Sequence, residues 1–330
     1  MRAHILTEYG GPEVLRLSEA PDPTPGPDEV LVAVTAASVN NADTAERRGR
    51  YPPPEPRPAH HIPGLDFAGR VLAVGRRAHR HRVGDRVFGL LPGGGYAECV
   101  VTHERMAMAV PPGLSDEEAA AVPEVYLTAY DALFHQAGLR MGESVLIHAV
   151  ASGVGIAALQ MARAAGATVY GTSRSEEKCR RAQAFGAAAA VDTGEADRDF
   201  AATIVAANGG RGVDVVLDMV GGAYLARNLA VLAPGGRMVT LALKAGARAE
   251  LDLGALMQKR LRLHGSTLRS RPIEEKIALT AEFERTVLPL FAAGALRPVL
   301  DRVLPWTEAP EAHRVIEEGL VVGKVVLRMD

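Results

Sequence analysis

The sequence predicts an α/β protein with two domains, one β-rich and one built on a doubly wound parallel sheet. With 330 residues the chain can fold into about two domains that each bury a core. Hydrophobic residues make up 48% of it and aromatic residues only 5%, which is typical of helices packed on a sheet through Ala, Val and Leu. Between about 143 and 267, continuous apolar runs alternate with helical patterns, which indicates parallel strands covered on both faces.

The first part of the chain, residues 1 to about 120, is predicted to be β-rich, as a folded-over sheet or partial barrel. Its strands are expected at short Val-rich runs separated by Gly and Pro, namely 30–34, 70–74 and 86–90. The proline-rich segment 51–58 is predicted to be a loop, because proline lacks the N–H donor and restricts the residue before it. Ser115, with Glu118 three residues later, predicts the start of a helix.

The rest of the chain is predicted to contain the parallel sheet and a return segment. Strands of the sheet are expected at 145–150, 168–172, 188–191, 213–218, 237–242 and 261–265. An amphipathic helix over about 273–291, a strand over 299–304, a short helix near 308–318 and a strand over 325–328 should follow. These last segments are too short for a third domain, so we expect them to complete the N-terminal one and leave a cleft between the two domains. The predicted domains are 1-120, 121-267 and 268-330.

Charge, hydropathy and cysteine content exclude several classes of protein. The net charge of −2 and the pI of 6.6 provide no field that would attract nucleic acid or anionic lipid. We find no secretory signal and no apolar run of about 18 residues, so we expect a soluble, cytoplasmic protein without a nucleic-acid or membrane partner. The two cysteines, Cys99 and Cys179, cannot form a disulfide framework or a four-cysteine zinc site.

A short segment with two glycines lies between the first strand of the predicted sheet and a helical pattern. His148–Gly155 reads HAVASGVG, and Val150 and Ser152 stand where a dinucleotide-binding G-x-G-x-x-G has its first two glycines. Because N–H groups at a helix N-terminus bind phosphate, we expect four cofactor-binding residues here: Ser152, Gly153, Val154 and Gly155. The alternative is a purely structural strand-to-helix turn. Val150 disfavours positive φ, and its bulk should shift the loop or narrow the space beside the pyrophosphate.

The end of the second strand predicts the type of nicotinamide cofactor. An NAD site usually has a carboxylate here for the ribose 2′-hydroxyl, but this chain has Ser173 and Arg174, with Lys178 one turn later. Hydroxyls and cations suit a 2′-phosphate, so we predict NADPH rather than NADH. The alternative is an ordinary helix start with solvated charges. Glu176 and Glu177 would oppose phosphate binding if they faced inward.

Several longer motifs are spread over the whole chain. In order they are YGGPE at 9–13, PGPDEV at 25–30, SVNNAD at 38–43, GRYPPP at 49–54, PGLDFAG at 63–69, GDRV at 84–87, LPGGGYAE at 91–98, LTAY at 127–130, the Ser152 loop, and STLRSR at 266–271. Together they resemble the zinc-independent quinone oxidoreductases of the medium-chain dehydrogenase/reductase superfamily, relatives of zeta-crystallin. Within that family they resemble the tumour-protein-inducible NADPH quinone oxidoreductase subgroup, in which a serine at position 152 is part of the pattern.

The resemblance implies a GroES-like catalytic domain formed by both ends of the chain, with a Rossmann nucleotide-binding domain between them. It implies that the nicotinamide lies in the cleft and that Thr128 contacts the cofactor. It also implies a homodimer joined through the edges of the nucleotide-domain sheets. Many relatives have a Tyr near the adenosine phosphate where this chain reads Val191-Asp192-Thr193, so that contact is missing from the pattern.

The resemblance also implies that the protein uses no zinc. Zinc-dependent relatives place a Cys where this chain has Asn40, a His-Glu pair where it has Leu65-Asp66, and another Cys near 124–127. Carboxylates and amides alone make a poor zinc site, so no metal is expected. We expect His148 to be a hydrogen-bonded core residue. Four histidines in Pro- or Arg-rich loops are expected at a solvated surface: His60, His61, His79 and His81.

The expected function is hydride transfer from NADPH to a quinone or a similar electrophilic acceptor. Asn40 and Tyr51 are the candidate catalytic residues, because the resemblance places their N-terminal loops at the cleft. Both can donate a hydrogen bond to the oxygen that gains charge, and Tyr51 can stack on a flat ring. The alternatives are a turn residue for Asn40 and a loop-packing aromatic for Tyr51. An enoyl reductase acting on a thioester or enone is the second possible function. A non-enzymatic NADPH-binding protein is the third.

Overall fold

A computed structural model of the chain describes residues 1–51, 53, 59–194 and 199–329. Most of the proline-rich segment predicted to be a loop, residues 52 and 54–58, lies outside the described residues. The chain divides into two compact units, of which the first is Met1–Leu127 with Arg269–Asp330 and the second is Thr128–Leu268.

The strands and helices follow in chain order. The strands are β1 Arg2–Leu6, β2 Leu15–Glu19, β3 Glu29–Val39, β4 Asp66–Val74, β5 Arg86–Leu90, β6 Cys99–His103, β7 Ala107–Ala109, β8 Ser144–Ile147, β9 Thr168–Ser173, β10 Ala189–Asp192, β11 Val213–Asp218, β12 Leu232–Thr240, β13 Arg262–Gly265, β14 Leu300–Pro305 and β15 Lys324–Arg328. The α-helices are α1 Asn41–Arg47, α2 Asp116–Ala120, α3 Pro123–Tyr130, α4 Gly153–Ala164, α5 Glu176–Ala184, α6 Phe200–Ala207, α7 Leu225–Val231, α8 Leu253–Gln258, α9 Ile273–Thr286, α10 Leu288–Ala292 and α11 Ala309–Glu318.

The second unit is built on a parallel sheet. Its described residues form six strands in the order β10-β9-β8-β11-β12-β13, and every neighbouring pair is parallel. Leu146, Phe200 and Val216 lie in the buried core beside this sheet. The predicted doubly wound sheet is therefore confirmed. The winding reverses between β8 and β11, so the loop after β8 leaves the sheet where α/β folds bind their ligands.

The first unit is built on a mixed sheet that both ends of the chain share. Among its described residues the order is β14-β15-β3-β4-β5-β7, and β6 also pairs with β3. β15 runs antiparallel to β3 with Val325 opposite Val39, so the C-terminal strands return to the N-terminal sheet. Phe67 and Val87 lie in one buried cluster of this unit, and Trp306 lies in another.

Two details differ from the sequence-based expectation. The helix expected over 273–291 is two helices, α9 and α10, because Pro289 has no N–H with which to continue the hydrogen-bond ladder of α9. The unit boundary lies after Leu127 rather than after residue 120, and the N–H of Glu124 bonds to a carboxylate of the first unit. In the part of the chain that the structure describes, no helix is long and apolar enough to cross a membrane.

Candidate active site

The carboxylate of Asp66, at the first residue of β4, is fully buried in the first unit. Its Oδ2 accepts hydrogen bonds from the Ser38 hydroxyl at 2.5 Å and from Nδ2 of Asn40 at 2.8 Å, while Oδ1 accepts the N–H of Glu124 at 2.7 Å. The ammonium of Lys324 lies 3.4 Å from Oδ2. Because a buried carboxylate is stable only when it is paired and hydrogen-bonded, these donors hold Asp66 in one orientation.

Asn40, one of the two predicted catalytic residues, caps the N-terminus of α1. Its N–H donates to the Asp43 carboxylate at 2.7 Å, and the two residues form a capping box. Its side-chain amide also lies between Asp66 and Lys324. The backbone of Asn40 therefore serves as the N-cap of α1, and its side-chain amide is held in a charged network.

A line of buried polar side chains connects Asp43 with helix α11. The guanidinium of Arg47 donates to Nδ1 of His313 at 3.3 Å, and Nε2 of His313 lies 3.1 Å from the Tyr96 hydroxyl, which donates to Asp43 at 3.2 Å. Burial raises the pKa of Asp43 to about 8, against the opposing hydrogen bond from the N–H of Asn40. Burial and the charge of Arg47 lower the pKa of His313 to about 3. Near pH 7 Asp43 is therefore mostly a neutral acid, and His313 is a neutral imidazole with its proton on Nε2.

Tyr51, the other predicted catalytic residue, is half-buried beside Arg269, whose guanidinium carbon lies 5.1 Å from the centre of the ring. Arg269 pairs with the buried carboxylate of Glu46 through two N–O distances of 2.9 Å, and Nε2 of His61 lies 2.7 Å from the same carboxylate. Burial raises the pKa of Tyr51, although the charge of Arg269 opposes the shift. Tyr51 therefore stays a protonated phenol that can donate a hydrogen bond.

The loop after β8 in the second unit is built from backbone and small side chains. Ser152 caps α4, and its hydroxyl accepts the N–H of Gly155 at 3.2 Å. The positive φ of the turn, 48°, falls on Ala149 and not on the β-branched Val150. The side chain of Val150 is buried, and a Cβ added to Gly171 in β9 would lie 2.5 Å from it. The bulk of Val150 therefore lies against the neighbouring strand, so the expected narrowing of the loop does not follow from it.

The predicted cofactor-binding residues all lie in the second unit. Thr128 is the first residue of that unit and is half-exposed on α3. Ser152, Gly153 and Val154 are half-exposed at the start of α4, whereas Gly155 is buried. Gly153 and Val154 thus lie half-exposed in the first turn of α4, where backbone N–H groups have no partner within the helix, whereas the N–H of Ser152 donates to the carbonyl of Ala149 at 2.8 Å.

A group of cations lies near the end of β9, after the buried Ser173. Arg174 is exposed and Lys178 is half-buried on α5. Partial burial and the charges of Arg174 and Lys178 lower the pKa of Lys244, which places a third cation in the same region. Sequence patterns missed Lys244 because it follows β12, far along the chain. The carboxylate of Glu177 pairs with Arg180 at 2.7 Å.

The surroundings of the histidines contradict one expectation and confirm another. His81 is buried and its ring contacts two backbone carbonyls, and His61 pairs with a carboxylate, so the expected solvated surface is wrong for these two residues. His148 is a core residue as expected, bonded to Thr172 and Asn228. Across residues 1–51, 53, 59–194 and 199–329, no group of three or more His, Cys, Asp or Glu could hold a metal ion.

The sequence patterns assigned no role to the charged partners in the first unit. Lys324 begins the apolar run Val325–Leu327, and a single charge at the start of a buried strand is the signal that could have identified it. Glu46 lies on an ordinary short helix, and Arg269 belongs to a motif that carried no assigned function. None of these residues is close in sequence to the others, so only the fold brings them together.

Comparison with known proteins identifies relatives over the whole chain. Residues 26–112 match a family model described as alcohol dehydrogenase GroES-like domain, and residues 153–285 match one described as zinc-binding dehydrogenase. The quinone oxidoreductase of Lama guanicoe is 36% identical over 99% of this chain and 97% of its own length. The solved structure of a Pseudomonas syringae pv. Tomato DC3000 quinone oxidoreductase matches 99% of this chain and 100% of its own, with a TM-score of 0.88 and 31% identity. That of the CurK enoyl reductase matches 100% of this chain and 99% of its own, with a TM-score of 0.87 and 31% identity.

Proposed function

Because the chain belongs to the quinone oxidoreductase family of the medium-chain dehydrogenase/reductase superfamily, we propose that it is a zinc-independent, NADPH-dependent quinone oxidoreductase. The observation that carries this function is the full-length similarity to quinone oxidoreductases. The fold supports it, since a serine-capped helix starts at the switch point of a parallel sheet, where cofactor phosphates bind. When bound, NADPH supplies the hydride that a quinone accepts.

The cofactor would be held by the residues of the second unit. The N–H groups at the start of α4, with Ser152, Gly153, Val154 and Gly155, would bind the pyrophosphate, and Thr128 would be a further contact. The 2′-phosphate would be bound by Ser173, Arg174 and Lys178, with Lys244 adding a third positive charge. A carboxylate for the 2′-hydroxyl of NADH is missing at the end of β9, which supports the preference for NADPH.

The cofactor preference is tested with the double variant Arg174→Ala/Lys178→Ala. We expect NADPH binding to weaken about 100-fold or more, because each charge-assisted hydrogen bond contributes about 1.5–3 kcal/mol. NADH binding should change little, and both are measured by quenching of the single tryptophan or by calorimetry. Arg180→Ala, on the same helix but paired with Glu177, is the matched control and should keep NADPH affinity. Unchanged NADPH affinity in the double variant would refute the proposed 2′-phosphate site.

The acceptor would be bound by the first unit. Asn40 and Tyr51 are the proposed donors to the acceptor oxygen that gains charge as the hydride arrives. The phenol of Tyr51 stays protonated, and the guanidinium of Arg269, which pairs with Glu46, lies over its ring. Asn40→Ala and Tyr51→Phe should each lower kcat for quinones by about 100- to 1,000-fold, the range found when one oxyanion donor is removed.

The second candidate function is an enoyl reductase, which the similarity to the CurK enoyl reductase favours. An enoyl reductase must also deliver a proton to the α-carbon of its substrate, whereas a quinone needs only a donor at oxygen. Turnover of NADPH with a small ortho-quinone and with crotonyl-CoA separates the two functions. Efficient reduction of crotonyl-CoA without reduction of the quinone would refute the proposed function and support the second one. NADPH binding without turnover on any quinone or enone would instead indicate a non-enzymatic NADPH-binding protein.

We infer zinc independence from what surrounds the positions that carry zinc ligands in zinc-dependent relatives. Asn40 and Asp66 occupy two of these positions, and the Lys324 ammonium already bonds to both. A zinc ion would need soft or imidazole ligands and would be repelled by this cation, so the residues do not fit zinc. Metal analysis of the purified protein and activity after dialysis against a chelator test this point. Bound zinc in a 1:1 ratio, with activity lost on chelation, would contradict it.

The assembly and the location of the protein are also proposals. We propose a homodimer joined through an edge of the second unit's sheet, where β10 and β13 are the terminal strands of the described order. We further propose a cytoplasmic protein that acts on small molecules and has no nucleic-acid or membrane partner. Sedimentation equilibrium tests the dimer, and a monomer at micromolar concentration would refute it.

A further inference from the structure

Lys324 is almost completely buried, with 4% of its surface exposed, at the first residue of β15. Its Nζ lies 3.2 Å from the carbonyl oxygen of Val39 and 3.4 Å from Oδ2 of Asp66, and it donates a hydrogen bond to Oδ1 of Asn40. An ammonium has three N–H donors and no acceptor, so these three oxygens account for its whole hydrogen-bonding capacity. A lysine buried to this degree is stabilised only by such partners.

The fold brings Lys324 to this place through strand pairing. β15 runs antiparallel to β3 with Val325 opposite Val39, so Lys324 lies beside Asn40, the residue between the end of β3 and the start of α1. Lys324 and Asn40 are 284 residues apart in the sequence. The pairing of the last strand with the third one therefore decides which cation Asn40 contacts.

The contacts define the orientation of the Asn40 amide. Oδ1 faces an ammonium, which can only donate, and Nδ2 faces the carboxylate of Asp66, which can only accept. Rotating the amide by half a turn would place its NH₂ group against the ammonium and its oxygen against the carboxylate. The Nδ2 group has two N–H donors, and the bond to Asp66 uses one of them.

We propose that Lys324 is a positioning residue for hydride transfer, which acts by holding Asn40 so that the second N–H of its amide donates to the acceptor oxygen. The Lys324 ammonium that donates to Oδ1 draws electron density from the amide nitrogen and strengthens that donor. A donor whose orientation is already set costs no reorganisation when charge develops on the acceptor. This role rests on the proposed function, because it requires that Asn40 binds the acceptor.

The test is a double-mutant cycle between Lys324→Met and Asn40→Ala, with kcat and KM measured for an ortho-quinone and for NADPH. We expect Lys324→Met to lower kcat at least about tenfold without changing the KM for NADPH. In the Asn40→Ala background, Lys324→Met should cost less than about twofold, because the group through which it acts is already gone. Equal losses in both backgrounds, or a kcat of Lys324→Met within twofold of the wild type, would overturn the proposal.

Two further variants keep the cycle interpretable. Lys324→Met leaves the carboxylate of Asp66 buried without its cation, and this variant could fail to fold for that reason. In that case the double variant Lys324→Met/Asp66→Asn, which removes both charges, takes the place of Lys324→Met in the cycle. Lys259→Met is the matched control, since the ammonium of Lys259 also bonds to three acceptors, the carbonyls of Leu229, Ala230 and Leu232. It should lower the melting temperature and leave kcat and KM unchanged.

A spectroscopic measurement tests the orientation without any turnover. The chain has four asparagines, so selective ¹⁵N-asparagine labelling gives few side-chain amide signals, and the pair lost in Asn40→Ala belongs to Asn40. In Lys324→Met that pair should shift and broaden as the amide starts to rotate, while the other pairs stay in place. An unchanged pair would overturn the proposal even if the protein reduces no quinone. If the labelled amide responds but only crotonyl-CoA is reduced, the proposed function fails and the cycle is measured with that substrate.

Discussion

The two units hold their candidate residues in opposite ways. In the first unit, segments far apart in the sequence bring buried charges into contact, and Asp66 pairs with Lys324 as Glu46 pairs with Arg269. In the second unit, the loop after β8 is one continuous segment that offers backbone N–H groups at a helix start capped by Ser152. Its cations belong to other segments, since Arg174 and Lys178 follow β9 and Lys244 follows β12.

This difference determines how each site can fail. A buried charge is costly without its partner, so the network of the first unit depends on every member being present. A backbone site depends on space instead, because the chain must pass close to its neighbours without a clash. Removing a charge should therefore damage the first unit most, and adding a methyl group should damage the second.

The largest effect should come from Glu46→Ala in the first unit. This change leaves the buried guanidinium of Arg269 without its carboxylate, and we expect the free energy of unfolding to fall by about 3–5 kcal/mol. Urea denaturation followed by circular dichroism measures it. Asp28→Asn, which removes the exposed partner of Arg77, is the control and should leave the transition unchanged. A loss for Glu46→Ala no larger than that of the control would show that the buried pair does not hold this unit together.

A methyl group added in the second unit should have the next largest effect. Gly171→Ala would place its Cβ 2.5 Å from Cγ1 of Val150, so we expect a loss of about 1–3 kcal/mol from overpacking. The second change Val150→Ala should restore part of this stability, because it removes the atoms in the way. Thermal denaturation of the two single variants and the double variant measures the recovery. A double variant less stable than both single variants would contradict the packing of Val150 on β9.

The pH dependence of stability should change in Asp43→Asn. The pKa of Asp43 is raised from 3.8 to about 8, so the folded state binds more protons than the unfolded state between these values and stability falls as the pH rises. The lowered pKa of His313 acts in the opposite direction below 6.5, where stability is lost as the pH falls. The decline due to Asp43 should therefore appear between pH 6.5 and 8, at up to about 1.4 kcal/mol per pH unit. The free energy of unfolding, measured from denaturation curves at these two pH values, should differ less in Asp43→Asn than in the wild type. An equal difference in both proteins would refute the raised pKa of Asp43.

The smallest effect should be a gain, from Ala149→Gly in the loop after β8. Alanine at a φ of 48° is strained by about 1–2 kcal/mol, and glycine removes that strain at an entropic cost of about 0.5–1 kcal/mol. We therefore expect the variant to be about 0.5–1 kcal/mol more stable. Ala151→Gly, two residues later and without a positive φ, is the control and should be less stable than the wild type. If both variants lose stability equally, the turn is not strained at Ala149.

Elements that depend on local pattern could be predicted from the sequence. Continuous apolar runs predicted the parallel strands, and the spacing of Ser115 and Glu118 predicted the start of α2. The loop after β8 was predicted from its place between a strand and a helix. The break between α9 and α10 was missed although Pro289 marks it. The buried His81 was missed because a loop with many arginines does not show which side chain turns inward.

The features of the candidate site also divide into those that the sequence predicted and those that only the fold shows. The sequence by itself determined the fold class and the position of the loop between β8 and α4, because each depends on patterns of residues close together in the chain. The choice of Asn40 and Tyr51 as candidate donors came from motifs that resemble a known family. Only the tertiary structure decided that Lys324 and Arg269 stand beside these donors, and that Val150 fits against Gly171. These contacts join segments that strand pairing brings together, and pairing depends on the free energy of the whole sheet rather than on any local pattern.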